Sequence, residues 1–205
     1  MVANYLGLPA FRGQVSSSQE LLKRGFDIVG ATAGLMLLSP LILLVSLAIK
    51  LDSRGPLLCR LKYYKLDDAV FDAFEFRSTI CDPGNNITDA TANRSHNITR
   101  MGQILRSSGI DKVPQLINVL RGDMSLVGPQ PLLTACGAAY RARIDSKLLR
   151  NVRPGIVGFA QIHEQANKAT HPSNKCRSRL EDDCYYVANR SFLLDMKILA
   201  LALFR

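Results

Sequence analysis

The sequence predicts a small cytoplasmic α/β (α+β) domain carried on an N-terminal re-entrant membrane anchor, a helix-break-helix segment, with amphipathic interfacial helices beside it. Three observations predict this architecture. First, no charged residue occurs from Ile28 to Ile49, a run long enough to cross a hydrocarbon layer, yet Pro40 lies in its middle, where it removes a backbone donor and disfavours helical geometry at Ser39. Second, strand-like and helix-like stretches alternate after residue 52, separated by turn residues. Third, the net charge of +9 on the 205-residue chain lies mainly beyond the anchor. Residues 1–52 hold Arg12, Lys23, Arg24 and Lys50 against Glu20, Asp27 and Asp52, which leaves +8 for the rest.

Such a basic surface beside an apolar anchor suits anionic lipid headgroups and phosphate-bearing ligands. Nucleic acid is not expected as a partner, because the chain lacks zinc-finger spacing, an RNP-type aromatic pattern and a basic heptad region. The five cysteines, Cys59, Cys81, Cys136, Cys176 and Cys184, are odd in number and widely spaced, with no Cys-x-x-Cys pair. They fit neither a disulfide framework nor a zinc site, and so suggest a reducing compartment. The apolar run begins too far inside the chain, and is too long, for the core of a secretory signal.

Residues 1–18, with Gly7, Pro9, Gly13 and a run of three serines, are expected to form a loose tail. Residues 19–51 form the anchor, broken at Ser39-Pro40. Both of its flanks are basic, Lys23 and Arg24 before it and Lys50, Arg54, Arg60 and Lys62 after it, and a segment that enters and returns keeps both on the cytoplasmic side. A single-span helix with a tolerated proline kink is the alternative.

Residues 52–205 form the domain. Asp52 to Pro56 is a turn, and Leu57 to Phe76 reads as short strands around Asp67-Asp68. Residues 81–97, with Pro83, Gly84, Asn85, Asn86 and Asn93, are expected to form a polar loop. Helices are expected from Arg100 to Arg106 and from Pro114 to Leu120, the latter stopped by Gly122. Met124 to Val127 is a buried strand closed by Gly128-Pro129-Gln130-Pro131. A helix from Ala138 to Arg153 carries five bases against Asp145, which makes it a solvated face or a lipid-touching interfacial helix. The last helix, Ser191 to Arg205, is capped by Ser191 and packs on the domain or the bilayer.

Arg106 to Pro131 is too dense in special residues to be explained by helix or strand periodicity alone. That stretch resembles the signature of the bacterial sugar transferases, the monotopic phosphoglycosyl transferases that begin exopolysaccharide, capsule and O-antigen units on a polyprenyl phosphate carrier. The resemblance extends in order through Lys23-Arg24-Gly25-Phe26-Asp27, Phe76-Arg77-Ser78, Ile98-Thr99-Arg100-Met101-Gly102, Arg153-Pro154-Gly155-Ile156-Val157-Gly158 and Tyr185 to Ser191. It implies a membrane protein of the bacterial inner membrane that moves a sugar 1-phosphate from a UDP-sugar to undecaprenyl phosphate. In the family an aspartate takes the phospho-sugar, UMP leaves, and Mg2+ neutralises the pyrophosphate. Inner-leaflet anionic lipids and other polysaccharide-assembly proteins are the further partners implied.

On this resemblance Asp111 is the nucleophile. Arg106, Arg77, Pro129 and Pro131 shape the phosphate and nucleotide site, Asp123 and Asp183 are candidate magnesium ligands, and Ser39-Pro40 is the membrane break. Each has a plainer reading: Asp111 is well placed to cap a helix, Arg106 to be a surface cation, and the two acids to close turns. Tyr185 and Tyr186 read better as core aromatics than as a uridine platform.

The chain also departs from the family pattern. The Asp-Glu pair is Asp111-Lys112, Lys-Phe-Arg is Glu75-Phe76-Arg77, and Pro-Arg-Pro is Pro129-Gln130-Pro131. Leu61 to Lys65 replaces a Gln-x-Arg-x-Gly loop, and His163-Glu164-Gln165 stands where Asn-Gly-Arg is usual. An ammonium in place of a carboxylate weakens a cation site. The opposite changes at positions 75 and 112 suggest an ion pair between them. The losses together admit a second role, that of a catalytically impaired paralogue acting as a membrane-bound regulatory or assembly partner.

Overall fold

One apolar helix organises the rest of the chain. In this computed structural model, residues 17–64, 70–79, 98–133, 152–166 and 175–203 are described. The expected tail up to residue 16, the Asp67-Asp68 turn, the polar loop at 81–97 and nearly all of the expected basic helix at 138–153 lie outside them. Helix α1 spans Ser17–Asp52, 36 residues, or about 54 Å at 1.5 Å per residue.

The expected interruption at Ser39-Pro40 is corrected by the structure: helical backbone continues through Pro40. The reason is local. Proline cannot donate to the carbonyl four residues back, that of Met36, and the Ser39 hydroxyl donates to that oxygen instead at 2.8 Å. The residue pair that marks the expected break therefore repairs the bond that proline removes.

One flank of α1 lies on the domain along nearly its whole length. Near its start, Lys23 Nζ donates to Val127 O at 3.0 Å and pairs with Asp195. Arg24 donates to Val119 O and Leu120 O at 2.6 and 2.9 Å. The buried Asp27 carboxylate accepts from Ser125 Oγ and Leu126 N, both at 3.0 Å. Further along, Gly34 packs close to the Leu116 side chain, and Leu41, Ile42, Val45 and Ile49 enter a core cluster. The other flank exposes Leu22, Val29, Met36, Leu37, Leu43, Leu44, Leu47 and Leu51, with Leu37 at 81%. Their spacing of about seven, then four, residues is that of a helical stripe.

Strands β1 (Leu58–Tyr64) and β2 (Val70–Phe76) pair antiparallel, from Leu58 opposite Phe76 to Tyr64 opposite Val70. The short β4 (Leu132–Leu133) adds to the other edge of β1. Helix α2 (Arg100–Ser108) is capped by Thr99, whose side chain accepts from Gly102 N at 2.9 Å. Helix α3 (Gln115–Arg121) ends at Gly122, with φ of 91°, as the glycine predicted. β3 (Ser125–Val127) pairs in parallel with β5 (Gly155–Val157). Gly128 and Gly155 press backbone to backbone there, since a Cβ on Gly155 would sit 2.1 Å from Gly128 N.

The C-terminal part contains α4 (Phe159–Ala166), α5 (Lys175–Ala188) and α6 (Phe192–Leu203). The sequence reading expected only the last of these, whose N-terminal Ser191 Oγ accepts from Leu194 N at 3.3 Å. Tyr186 is fully buried, as a core aromatic should be. Its hydroxyl donates to Asp195 Oδ1 at 2.6 Å. Burial, then the Asp195 carboxylate, push its pKa well above the usual phenol range, so it stays a donor.

Removing the Asp27 carboxylate takes two hydrogen bonds from an ionised acceptor, leaving the Leu126 amide without its partner and the Ser125 hydroxyl with Val127 O alone. Asp27→Ala is therefore expected to cost about 3 kcal/mol and to lower the melting temperature in detergent by roughly 6–12 °C. A shift under about 2 °C would contradict the role given to this contact.

Candidate functional site

Gly109 creates the turn that presents Asp111. With φ of 72° it closes α2 through its amide to Arg106 O and opens a single 3-10 turn, Ile110–Lys112. A side chain at position 109 would be strained in that conformation. Pro114, φ −62°, then starts α3 with no side-chain cap. Asp111 is therefore not the cap of α3, which removes its plainest structural role.

The turn is fastened to the anchor on both sides of the aspartate. Ile110 and Val113 pack into the cluster formed by Val45 and Ile49 of α1 with Phe76 and Leu105, joined by Leu41 and Ile42. Asp111 itself is 7% exposed. A carboxylate between two residues seated on the apolar helix α1 has its position relative to that helix set by hydrophobic packing.

Arg106 occupies the last turn of α2 and donates through Nε to Ser78 Oγ at 2.8 Å. Ser78 is buried and firmly held. Its carbonyl accepts from Thr99 N at 3.1 Å, and Gly102 lies so close that a Cβ there would fall 1.9 Å from that same oxygen. Ser78 thus fixes one edge of the guanidinium. The sequence reading quoted Ser78 without assigning it a role; its place after Phe76-Arg77, at the end of β2, was the available signal.

Arg77 is placed differently from expectation. It is 1% exposed, and its Nη2 donates to Ile49 O at 3.4 Å, to Ser53 O, and to Ser53 Oγ at 2.7 Å. Its Nε and Nη1 are buried without a hydrogen bond, and Gly55, φ 135°, leaves room for the guanidinium where a Cβ would stand 2.1 Å away. As built, Arg77 faces the C-terminal carbonyls of α1, where a cation is favourable, rather than an open phosphate site.

Glu75 is buried and accepts on Oε1 from Tyr63 OH at 2.8 Å and from Gln115 Nε2 at 3.0 Å. The ion pair suggested between Glu75 and Lys112 is not formed among the described residues. Lys112 is half-buried beside Asp111, and its ammonium makes no hydrogen bond or ion pair with any of them. Asn118, missed by the sequence reading, is fully buried. Its Oδ1 accepts from Phe74 N at 3.0 Å and its Nδ2 donates to Asp72 O at 2.7 Å, so one amide satisfies the edge of β2. Two amides three residues apart on a short apolar helix, Gln115 and Asn118, were the missed signal.

Pro129 is fully buried, and its carbonyl accepts from Gly155 N at 2.9 Å. With Gly128 on one side and Gln130-Pro131 on the other, it belongs to the junction after β3. Asp123 follows α3, at the opposite end of that helix from Asp111, and its amide donates to Asn118 O at 3.0 Å. Asp183 is buried in α5. Among the described residues no group of three or more Asp, Glu, His or Cys side chains is arranged to hold a metal ion. Mg2+ is commonly held by one or two carboxylates together with substrate phosphates, and the residue beside Asp111 is the cationic Lys112 rather than an acid, so this position does not fit a divalent ion.

The description "Bacterial sugar transferase" matches residues 18–205. The chain is 38% identical over 200 residues to the UDP-glucose:undecaprenyl-phosphate glucose-1-phosphate transferase of Escherichia coli (strain K12), covering 97% of this chain and 43% of that protein. It is 37% identical over 186 residues to the exopolysaccharide production protein PSS of Rhizobium leguminosarum bv. phaseoli, covering 87% of this chain and 92% of that one. It is 35% identical over 179 residues to the UDP-N-acetylgalactosamine-undecaprenyl-phosphate N-acetylgalactosaminephosphotransferase of Aeromonas hydrophila, covering 86% and 41%. The chain thus spans about two-fifths of the length of the E. coli and Aeromonas relatives and nearly all of the Rhizobium one.

Proposed function

Because the chain belongs to the bacterial sugar transferase family, matched from residue 18 to residue 205, we propose that it moves a sugar 1-phosphate from a UDP-sugar to undecaprenyl phosphate, by way of a phospho-sugar held on Asp111. The observation that carries this reading is the seating of Asp111 between Ile110 and Val113, both packed on the apolar anchor helix. A soluble nucleotide donor and a membrane-bound acceptor meet only at the lipid boundary.

In the first step an Asp111 oxygen attacks the phosphorus that bears the sugar. The phosphoanhydride P–O bond breaks, UMP leaves with that electron pair, and an acyl phosphate forms. In the second step an oxygen of undecaprenyl phosphate attacks the same phosphorus, and the Asp111 carboxylate leaves unchanged. Arg106, aligned by Ser78, holds phosphate oxygens, a task that suits a guanidinium fork.

The anchor is read as monotopic, on the cytoplasmic face of the inner membrane. Its support is that Lys23 and Arg24 near one end of α1 and Ile49 to Ser53 near the other all bond to the same domain. A helix crossing the bilayer would carry one end away from it. The exposed leucine stripe enters the lipid, and the basic flanks meet anionic headgroups. Which sugar moves is left open, since the named relatives act on glucose in one case and N-acetylgalactosamine in another. The second reading, a catalytically impaired partner of other polysaccharide-assembly proteins, is favoured by one observation, Lys112 beside Asp111.

UMP release from a panel of UDP-sugars, with the chain in nanodiscs containing undecaprenyl phosphate, tests the proposal. Turnover is expected, with Asp111→Asn lowering it by about 10³-fold or more. Turnover that survives this change would remove Asp111 from the chemistry, and none from any donor would favour the second reading. Ser78→Ala is expected to raise KM for the UDP-sugar about 10-fold, with KM for the lipid acceptor unmoved and Ser78→Thr restoring the original value. A general loss of kcat with both KM values unchanged would make Ser78 only structural.

A further inference from the structure

We propose that the Lys112 ammonium binds the pyrophosphate of the nucleotide donor, so that donor binding and transfer in this chain proceed without a divalent cation. The inference rests on the sugar-phosphate transferase reading and adds to it a charge carrier that belongs to the protein. A pyrophosphate brought against Asp111 places two ionised phosphates beside an ionised carboxylate, and this arrangement needs positive charge.

The cations of the described residues divide into committed and uncommitted groups. Lys23 is paired with Asp195, Arg24 with the carbonyls that end α3, and Arg77 with the carbonyls that end α1. Arg106 has its Nε on Ser78. Lys112 sits one residue from the nucleophile and is half-buried; its amide donates to Gly109 O at 3.3 Å, and its ammonium has no hydrogen-bond or ion-pair partner among the described residues. Partial burial of an ammonium is unfavourable without a counter-charge, and the acid most suited to supply one, Glu75, is taken by Tyr63 and Gln115.

Successive side chains on a 3-10 turn diverge by about 120°, so Asp111 and Lys112 leave the turn Ile110–Lys112 in different directions. The turn is fixed to α1 through Ile110 and Val113, which holds both groups in place before a donor arrives. Lysine is an established point-charge partner of phosphate. The ammonium keeps its proton throughout; it neutralises the oxygens of the departing UMP while the Asp111–phosphorus bond forms and the phosphoanhydride bond breaks.

The test is calorimetric titration of UDP-glucose into the full chain in nanodiscs, in EDTA and in magnesium, with UMP release followed in parallel. The dissociation constant in EDTA is expected to lie within about threefold of that in magnesium, Lys112→Ala to weaken binding in EDTA by about 10-fold or more, and Lys112→Arg to retain it. Lys112→Glu is expected to bind only with magnesium. Weakening of the unaltered chain by more than about threefold in EDTA, or wild-type affinity in Lys112→Ala, would overturn the proposal, as would the absence of binding in both buffers or UMP release that requires magnesium. Metal-free binding lost in Lys112→Ala, but without UMP release in either buffer, would keep Lys112 as the pyrophosphate ligand and remove the transferase reading instead.

Discussion

The packing of α1 along one flank of the domain is the constraint on which the rest of the structure depends. A helix apolar on every side has no stable place in water, and here two kinds of surface are assigned to its two flanks. The inner flank joins cores built from the β1–β2 hairpin, α2 and α3. The outer flank remains an exposed stripe of leucine, valine and methionine. Polar contacts fix the helix where hydrophobic packing alone would let it slide: Lys23, Arg24 and Asp27 near its start, Arg77 at its end. Each is a long-range bond from a charged side chain to a backbone or side-chain group of another element.

Function follows from what hangs on that helix. The 3-10 turn bearing Asp111 is not a free loop; its two apolar neighbours are part of the anchor's own core. Arg106 and Ser78 tie the end of α2 to the residues that follow β2, and Phe76, two residues before Ser78, reaches α1. Helix α1, the turn and Arg106 are joined in one packed unit, which under the proposed function would keep the carboxylate at the lipid boundary without any moving part. Rigid support of this kind is what group transfer between a soluble donor and a membrane-bound acceptor demands.

Much of this was legible in the sequence where the signal is local. The uncharged run marks the long apolar helix, the strand-like stretches between Leu57 and Phe76 mark β1 and β2, Gly122 the end of α3, and Ser191 the start of α6. The site was legible only through resemblance, since Asp111 alone looks like a helix cap. What escaped was non-local chemistry. Pro40 alone argues for a broken helix, and only the neighbouring Ser39 hydroxyl on the Met36 carbonyl shows why helical backbone persists. Arg77 looks like a phosphate ligand until its partners, 24 and 28 residues away, are seen to be Ser53 and Ile49. Asn118 and Gln115 read as ordinary polar helix residues because the strand edge and carboxylate they satisfy lie 40 or more residues earlier. Helices α4 and α5 escaped because their apolar faces pack mainly on each other and on α6, which gives a weak period along the chain.

The central claim is that one carboxylate, fixed to the lipid-facing helix, accepts a phospho-sugar from the aqueous side and surrenders it to the membrane side. Peptide-level mass spectrometry tests it most directly, on the chain incubated with UDP-sugar in acceptor-free nanodiscs and then mixed with undecaprenyl phosphate in the same bilayer. The account predicts a sugar-phosphate adduct confined to the peptide containing Asp111, discharged when the lipid acceptor is added. An adduct on another residue, or one on Asp111 that persists with the acceptor present, would contradict it.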